Sequence, residues 1–195
     1  MTIIPLARKT MFSLLFLTFS LISFQGVCPI QASQGKPASF QLKQDDSGPP
    51  SSNKDLRGSV EEMLFEKTNE MRGRSKLPSL GSNSILIKAA RYHSDDMYRK
   101  NYLSHFSPDG KSPLDRIRKF KPGYDESCGE NVHNITSPQG LRDASAIANQ
   151  MMKDWMGSPE HRKNILSKEY SLIGVGCSTD GEKIFCTQVF SGPNI

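Results

Sequence analysis

Apolar residues recur at helical spacing through most of the chain and switch to alternation near its end. Val60, Met63, Leu64 and Met71 approximate one helical stripe and predict a helix over Ser59 to Arg72, stopped by Gly73. Leu77-Pro78-Ser79-Leu80 follows as a loop that pins two leucines. Leu86, Ala89, Ala90, His93 and Met97 fall at i, i+3, i+4, i+7 and i+11, one face of a second helix from about Ser84 to Asn101. His93 therefore lies on a buried stripe, which favours a hydrogen-bonded core histidine over a ligand. Ser107-Pro108-Asp109-Gly110 reads as a turn and Pro113 to Phe120 as a short helix. Ser137-Pro138 offers an N-cap with proline at the first helical position. The helix expected from it carries Leu141, Ala144, Ile147, Ala148, Met151, Met152 and Trp155 as a core stripe. Ser158-Pro159 repeats the signal and puts Glu160 and His161 in the first turn of another short helix.

The last third changes period. Ile173, Val175 and Cys177 alternate with Gly174 and Gly176, while Ile184, Cys186, Gln188 and Phe190 alternate with Phe185, Thr187 and Val189. This pattern predicts two antiparallel strands joined at Asp180-Gly181, with Asn131 to Ile135 as a weaker third. Helices first and strands late, without alternating parallel units, give the class α+β rather than a doubly wound sheet.

The first 32 residues carry two charges, Arg8 and Lys9, ahead of an apolar stretch from Met11 to about Val27. That is the layout of a secretory signal peptide, with cleavage expected after Ala32. The apolar run is marginal for spanning a bilayer and no stop-transfer pattern follows, so the expected mature chain has no transmembrane segment. Gln25-Gly26-Val27 is a poor lead-in for a lipoprotein anchor at Cys28. Residues 33–58 are rich in Ser, Gln, Pro, Gly, Asp and Lys and read as a disordered linker, which leaves 59–195 as one domain. The formal charge of +5 becomes +3 once Arg8 and Lys9 are removed. So mild a balance tolerates an acidic wall or lipid surface and does not call for nucleic acid. The densest basic run, Arg116-Ile117-Arg118-Lys119-Phe120-Lys121, could dock an anionic polymer, but such a run more often forms a solvated face.

Cleavage would leave Cys128, Cys177 and Cys186, enough for one disulfide and one thiol in an oxidising compartment. Cys177 and Cys186 flank the Asp180-Gly181 turn, where cross-strand distances permit a bond. Pairing of Cys128 with either is the rival. A Cys-His nucleophile built on Cys128 is a further reading, though a secreted cysteine beside others is more often structural. Asn134-Ile135-Thr136 is a glycosylation acceptor in a eukaryotic secretory context.

Three segments carry candidate chemistry: His105-Phe106-Ser107, Gly129-Glu130-Asn131, and Trp155 to Ile165 with His161. Each sets an ionisable side chain beside Gly, Ser or Pro, residues that end regular elements, and loop ends on a rigid scaffold often hold functional groups. Two imidazoles and a carboxylate can form a divalent-metal site or an acid–base pair. The bland alternative gives Glu130 to backbone N–H groups and the histidines to hydrogen bonds that tie loops together. Spacing alone does not bring the three segments together.

In order along the chain stand Ala90-Arg91-Tyr92-His93-Ser94-Asp95-Asp96-Met97, Ser104 to Gly110, and Cys128-Gly129-Glu130-Asn131-Val132. After them come Trp155 to Leu166, then Ile173-Gly174-Val175-Gly176 with Thr187-Gln188-Val189-Phe190. Together these resemble the CAP superfamily of cysteine-rich secretory, antigen 5 and pathogenesis-related proteins, and most closely its small bacterial-type members. The resemblance implies a three-layer α-β-α sandwich with a small antiparallel sheet. It also implies a cleft in which His105, Glu130 and His161 match three family positions. The family's second acidic residue, three positions after the tryptophan, is Ser158 here, so the tetrad is incomplete.

The implied cleft residues are His105, Glu130, Ser158 and His161, with His105, His161 and Glu130 as metal candidates for Zn²⁺. Two functions then compete. One is a secreted, non-enzymatic module binding a small or lipid-like ligand, a metal, or a cell-wall or surface component. The other is a secreted hydrolase acting on peptide or glycan. No serine nucleophile motif and no assured carboxylate pair are present, which favours the binding module.

Overall fold

The computed structural model describes residues 52–193. The expected signal peptide and most of the expected linker lie outside these residues. α1 runs Ser52–Arg74, β1 Gly81–Ser82, α2 Ser84–Lys100, α3 Pro113–Phe120, β2 Cys128–Thr136, α4 Ala144–Gly157, α5 Pro159–Ile165, β3 Leu172–Thr179 and β4 Lys183–Ser191.

The strands form one sheet in the order β1-β3-β4-β2. β4 pairs antiparallel with β3 and with β2, whereas β1 pairs parallel with β3, so the sheet is mixed rather than wholly antiparallel. β1 is two residues long and carries no alternation, which is why the pattern of the sequence does not reveal it. β2 is not the weak strand expected over Asn131 to Ile135. It pairs with β4 along its whole length, from Cys128 opposite Ser191 to Thr136 opposite Lys183.

Period-two alternation divides the sheet between two helical layers. Ile173, Val175, Cys177, Ile184, Cys186 and Phe190 join the cluster formed with Leu64, Ile147, Met151 and Trp155 from α1 and α4. On the other face Val189 packs with Leu86, Ala89, Ala90 and Ile117 from α2 and α3. The result is the α-β-α sandwich. α2 lies very close to β3, since a Cβ placed on Gly174 or Gly176 would fall 2.1 or 2.2 Å from α2 backbone atoms.

Two helix starts differ from expectation. α1 begins at Ser52, inside the segment expected to be linker; it extends through Gly58, and Leu56 in this added stretch is buried in the core. Ser137-Pro138 does not cap a helix. Ser137 N–H donates to Glu182 O (2.7 Å) and Leu141 N–H to Gly181 O (2.6 Å), which ties this segment to the β3–β4 turn. Gly140, at φ 88°, closes the turn, and α4 starts later from Asp143, whose side chain accepts from Ser145 and Ala146 N–H. Cys177 and Cys186 stand opposite each other in the ladder and form a disulfide with Cα atoms 4.1 Å apart, while Cys128 remains a free thiol.

Candidate functional site

β2 is the last strand of the sheet, so the helical layers on the two faces can meet around its outer edge. Glu130 projects toward the α2–α3 side, where its carboxylate meets His93 and Arg116. Asn131, the next residue, projects the other way and donates from Nδ2 to His161 O at the start of α5 (3.1 Å). His105 reaches Glu130 from the loop after α2. In this way residues from three separated segments converge on one cleft of about 470 Å³. His105, Glu130 and His161 line it, joined by Glu160, Lys163, Asn164 and Tyr170. Ser158 is not among the lining residues; it occupies the corner between α4 and α5 as the C-cap of one and N-cap of the other. The carboxylate missing from the resemblance is thus not restored at that position.

The cleft is supported by a buried ion pair. Arg116 Nη2 donates to Glu130 Oε2 at 2.7 Å, with side chains only 1% and 2% exposed. The same nitrogen donates to His105 O (2.9 Å), and Nη1 donates to Lys111 O (3.1 Å). Arg116 thereby holds both ends of the His105 loop, because its planar fork can satisfy several acceptors at once. This corrects the reading of Arg116–Lys121 as a solvated face: its first member is among the most buried side chains. The signal was available, since Arg116 sits beside Ile117 on a helix of eight residues and need not share the exposure of its neighbours.

Glu130 Oε1 lies 3.0 Å from His105 Nδ1. That contact engages Nδ1, so Nε2 is the ring nitrogen through which His105 could ligate. His93, buried as expected, has Nε2 2.8 Å from Ser104 O and anchors the same loop from α2. Burial lowers the His93 pKa, an effect stronger than the raising influence of Glu130. His161 is also pushed below its ordinary value, first by burial and then by the nearby charges of His105 and His133.

His133 was not singled out by sequence reasoning. It projects to the same face as Asn131, two residues along β2, and its Nε2 lies 2.9 Å from Asp154 Oδ2. Asn164 is a second omission. Its Nδ2 donates to Glu130 O (3.1 Å) and to Asn131 Oδ1 (2.9 Å). Asn131 continues to Gln188 Oε1 (3.1 Å) and Gln188 to Thr68 Oγ1 (2.7 Å), an amide chain running from the cleft through β4 to α1. Such residues are ordinary in sequence, and only topology unites them.

The ring centroids of His105 and His161 are 6.5 Å apart. A Zn–N bond of about 2.0–2.1 Å puts each centroid about 3.2 Å from the ion, so two rings sharing one ion stand about 5 to 6.4 Å apart. At 6.5 Å the pair stands just outside that range, so the two rings must draw together for both to ligate one ion. Glu130 does not fit as a third ligand, because its oxygens are engaged by His105 and Arg116. It fits the outer position, where a carboxylate fixes a ligating imidazole. Among the described residues, no group of three or more His, Cys, Asp or Glu side chains is arranged to hold an ion. The candidate donors are therefore the two imidazoles alone, fewer than a closed structural zinc site uses.

Cys128 makes a poor nucleophile here, since burial raises the pKa of its thiol and the Glu130 charge raises it further.

A mixed sheet sandwiched between helices, with two histidines meeting at its edge, is the architecture of a CAP domain. Residues 65–190 match the model of the cysteine-rich secretory protein family, and the chain belongs to that family. It is 36% identical to YkwD of Bacillus subtilis over 68% of this chain and 47% of that protein. The membrane protein YlbC of the same organism is 27% identical over 63% of this chain and 33% of its own length. This chain thus spans less than half the length of either relative. Among solved structures, an extracellular SCP-domain protein of Bacillus anthracis matches with a TM-score of 0.60 and 32% identity. That match covers 75% of this chain and 45% of the other. An outer surface protein of Borrelia burgdorferi shares the fold at a TM-score of 0.57 and 20% identity, over 69% of this chain and 93% of that one. No described helix is long and apolar enough to cross a membrane.

Proposed function

We propose that this CAP domain is an extracellular, non-enzymatic binding module whose cleft takes a divalent cation such as Zn²⁺ between His105 and His161, together with a small polar ligand. The observation that carries the reading is the Arg116–Glu130–His105 relay. A buried ion pair holds one imidazole through its Nδ1, and a second imidazole faces it. Burial and the neighbouring histidine charges lower the His161 pKa and so favour the neutral ring that a metal ligand requires. Exposed Glu160 and Glu169 on the rim outnumber Lys163 and favour a cation.

The same geometry weighs against hydrolysis, because the carboxylate best placed to act as a base is already bonded to an imidazole and a guanidinium. It also weighs against a lipid-like ligand. The cleft is lined by polar groups, whereas the apolar pocket beside Phe65, Ile87 and Val175 holds only about 20 Å³, room for about one water. An extracellular setting is supported by the N-terminal apolar segment and by the extracellular and outer-surface proteins that share the fold.

Calorimetric titration with Zn²⁺ of the parent chain, His105→Ala and His161→Ala tests this reading. Each variant is expected to lose at least about tenfold in affinity, as removal of one of two ligands requires. Parent affinity is expected to fall short of the about 10–16 kcal/mol of closed structural zinc sites. Equal affinity in all three proteins removes the site. Zn²⁺-dependent cleavage of a peptide or glycan substrate, lost in His161→Ala, would establish the hydrolase instead.

A further inference from the structure

Gln188 on β4, Asn131 opposite it on β2 and Thr68 on α1 are all fully buried. Without access to solvent, their hydrogen bonds must close among themselves and with the backbone. The bonds run in one direction. Thr68 Oγ1 gives its single hydrogen to Leu64 O (2.7 Å), with the Met152 sulfur at 3.8 Å only a weak rival, so toward Gln188 it accepts. Gln188 therefore presents Nε2 to Thr68 (2.7 Å) and is left with Oε1 for its other neighbour. Asn131 meets that oxygen with Nδ2 (3.1 Å) and gives the second hydrogen of the same nitrogen to His161 O (3.1 Å). Its own Oδ1 accepts from Asn164 Nδ2 (2.9 Å).

Neither amide can be turned end for end. A reversed Asn131 would set its oxygen against Gln188 Oε1 and His161 O, and its nitrogen against Asn164 Nδ2. A reversed Gln188 would oppose its Nε2 to Asn131 Nδ2. Either change leaves buried donors and acceptors unpaired, the costly outcome for polar groups in an interior. The direction fixed at the Leu64 carbonyl in α1 is thereby carried across β4 to β2 and delivered to the carbonyl of His161, at the start of α5. His161 lines the cleft, whereas Thr68 and Gln188 do not.

We propose that Gln188 and Thr68 are positioning residues for the cleft. From the core they hold the Asn131 amide in the one orientation that donates to His161 O, and so set where the His161 ring stands relative to His105. The placement of His161 is independent of any ligand. Its consequence for cation affinity rests on the reading of the cleft as a cation site.

The experiment compares the purified parent chain with Thr68→Val, Thr68→Ser and Val60→Ala. Valine matches threonine in shape and removes only the hydroxyl, so Gln188 Nε2 loses its acceptor; serine keeps it. Val60 is buried on the same helix but lies outside the hydrogen-bonded run, so its truncation loosens the core without a polar change. Two-dimensional NMR follows the side-chain NH₂ signals of Asn131 and Gln188, the ring signals of His161, and the amide of Arg162, whose peptide unit contains His161 O. Thr68→Val is expected to shift all of them, Thr68→Ser to return them toward the parent, and Val60→Ala to leave them in place. Zn²⁺ calorimetry should show about threefold weaker binding in Thr68→Val alone, less than the about 10–100-fold typical when a partner of the ligating ring itself is removed. His161 and Arg162 signals unmoved in Thr68→Val, or moved as far in Val60→Ala, would overturn the proposal. A parent that binds no Zn²⁺ would remove the cation reading, and the NMR comparison would still decide this one.

Discussion

Gly176→Ala tests one of the two tight approaches of α2 to β3 and, through it, the cleft. An added Cβ would lie 2.2 Å from Arg91 N, 2.6 Å from Ala90 C and 2.7 Å from Arg91 Cα, all backbone of α2. Backbone cannot rotate aside as a side chain can, so α2 must retreat by about 1 Å to reach an ordinary contact. Overpacking of a well-filled interior costs about 1–3 kcal/mol. Retreat also stretches the bond from Ser94 Oγ to Gly176 O (2.8 Å) and the contact of Ser94 with Thr187 Oγ1 (2.8 Å), both buried. An unsatisfied buried hydroxyl costs about 1–3 kcal/mol more. The combined loss is about 4 kcal/mol, which at an m of about 2 kcal/mol/M lowers the urea midpoint by about 2 M. Because α2 carries His93, whose Nε2 anchors Ser104 O, the amides of Ser104 and His105 should shift as well. Gly58→Ala is the control: it lies within α1 with nothing within 4 Å of the new methyl and should stabilise by about 0.5–1 kcal/mol. A Gly176→Ala loss below about 1 kcal/mol, with the His105 loop undisturbed, would refute the reasoning.

Three further outcomes follow from the same contacts. Replacing Cys177 and Cys186 together with alanine should cost about 2–3 kcal/mol in chemical denaturation, the value expected for the short loop their separation of 9 residues closes. Arg116→Met takes the guanidinium from the buried Glu130 carboxylate and leaves Oε2 without that partner, which should cost about 3–5 kcal/mol, whereas Arg116→Met with Glu130→Gln should recover part of that loss. His93 is held below the ordinary histidine value by burial, so the unfolded chain binds the proton more tightly than the folded one. Its contribution is present above the unfolded value of about 6.5 and is lost as pH falls through it, so urea midpoints should decline from pH 7 toward pH 5.

Most of the fold is legible in the sequence because burial imposes periodicity. The α2 stripe is found at Leu86, Ala89, Ala90, His93 and Met97, each of them buried, and α3 spans its expected residues. The errors lie where no period exists. β1 is too short to alternate, and Ser137-Pro138 is a sound local cap signal overruled by hydrogen bonds to the β3–β4 turn. The three central site residues were readable as ionisable groups beside helix and strand breakers. Their supports were not: Arg116 looks like one charge among several, and Asn131, His133 and Asn164 become meaningful only when β2 sits at the edge of the sheet beside α5.

That edge position explains why the cleft forms at this place. Successive residues of a strand point to opposite faces, so Glu130 and Asn131 project into different layers although they are neighbours in sequence. In an interior strand the sheet would separate those layers. At the edge they meet, with Glu130 orienting His105 from the α2 side and Asn131 holding the backbone of His161 from the α5 side. The outer edge of β2 is also covered, because Asn164 Nδ2 donates to Glu130 O (3.1 Å) and Trp155 Nε1 to Val132 O (3.3 Å). Exposed strand edges invite pairing with other chains, and side-chain donors that occupy edge carbonyls prevent it. The Gly-Glu-Asn sequence thus does two things at once. It supplies one group to each side of the cleft, and Gly129 leaves room for the side chains that close the edge: a Cβ there would fall 2.7 Å from the Tyr170 hydroxyl and 2.9 Å from Asn164 Oδ1.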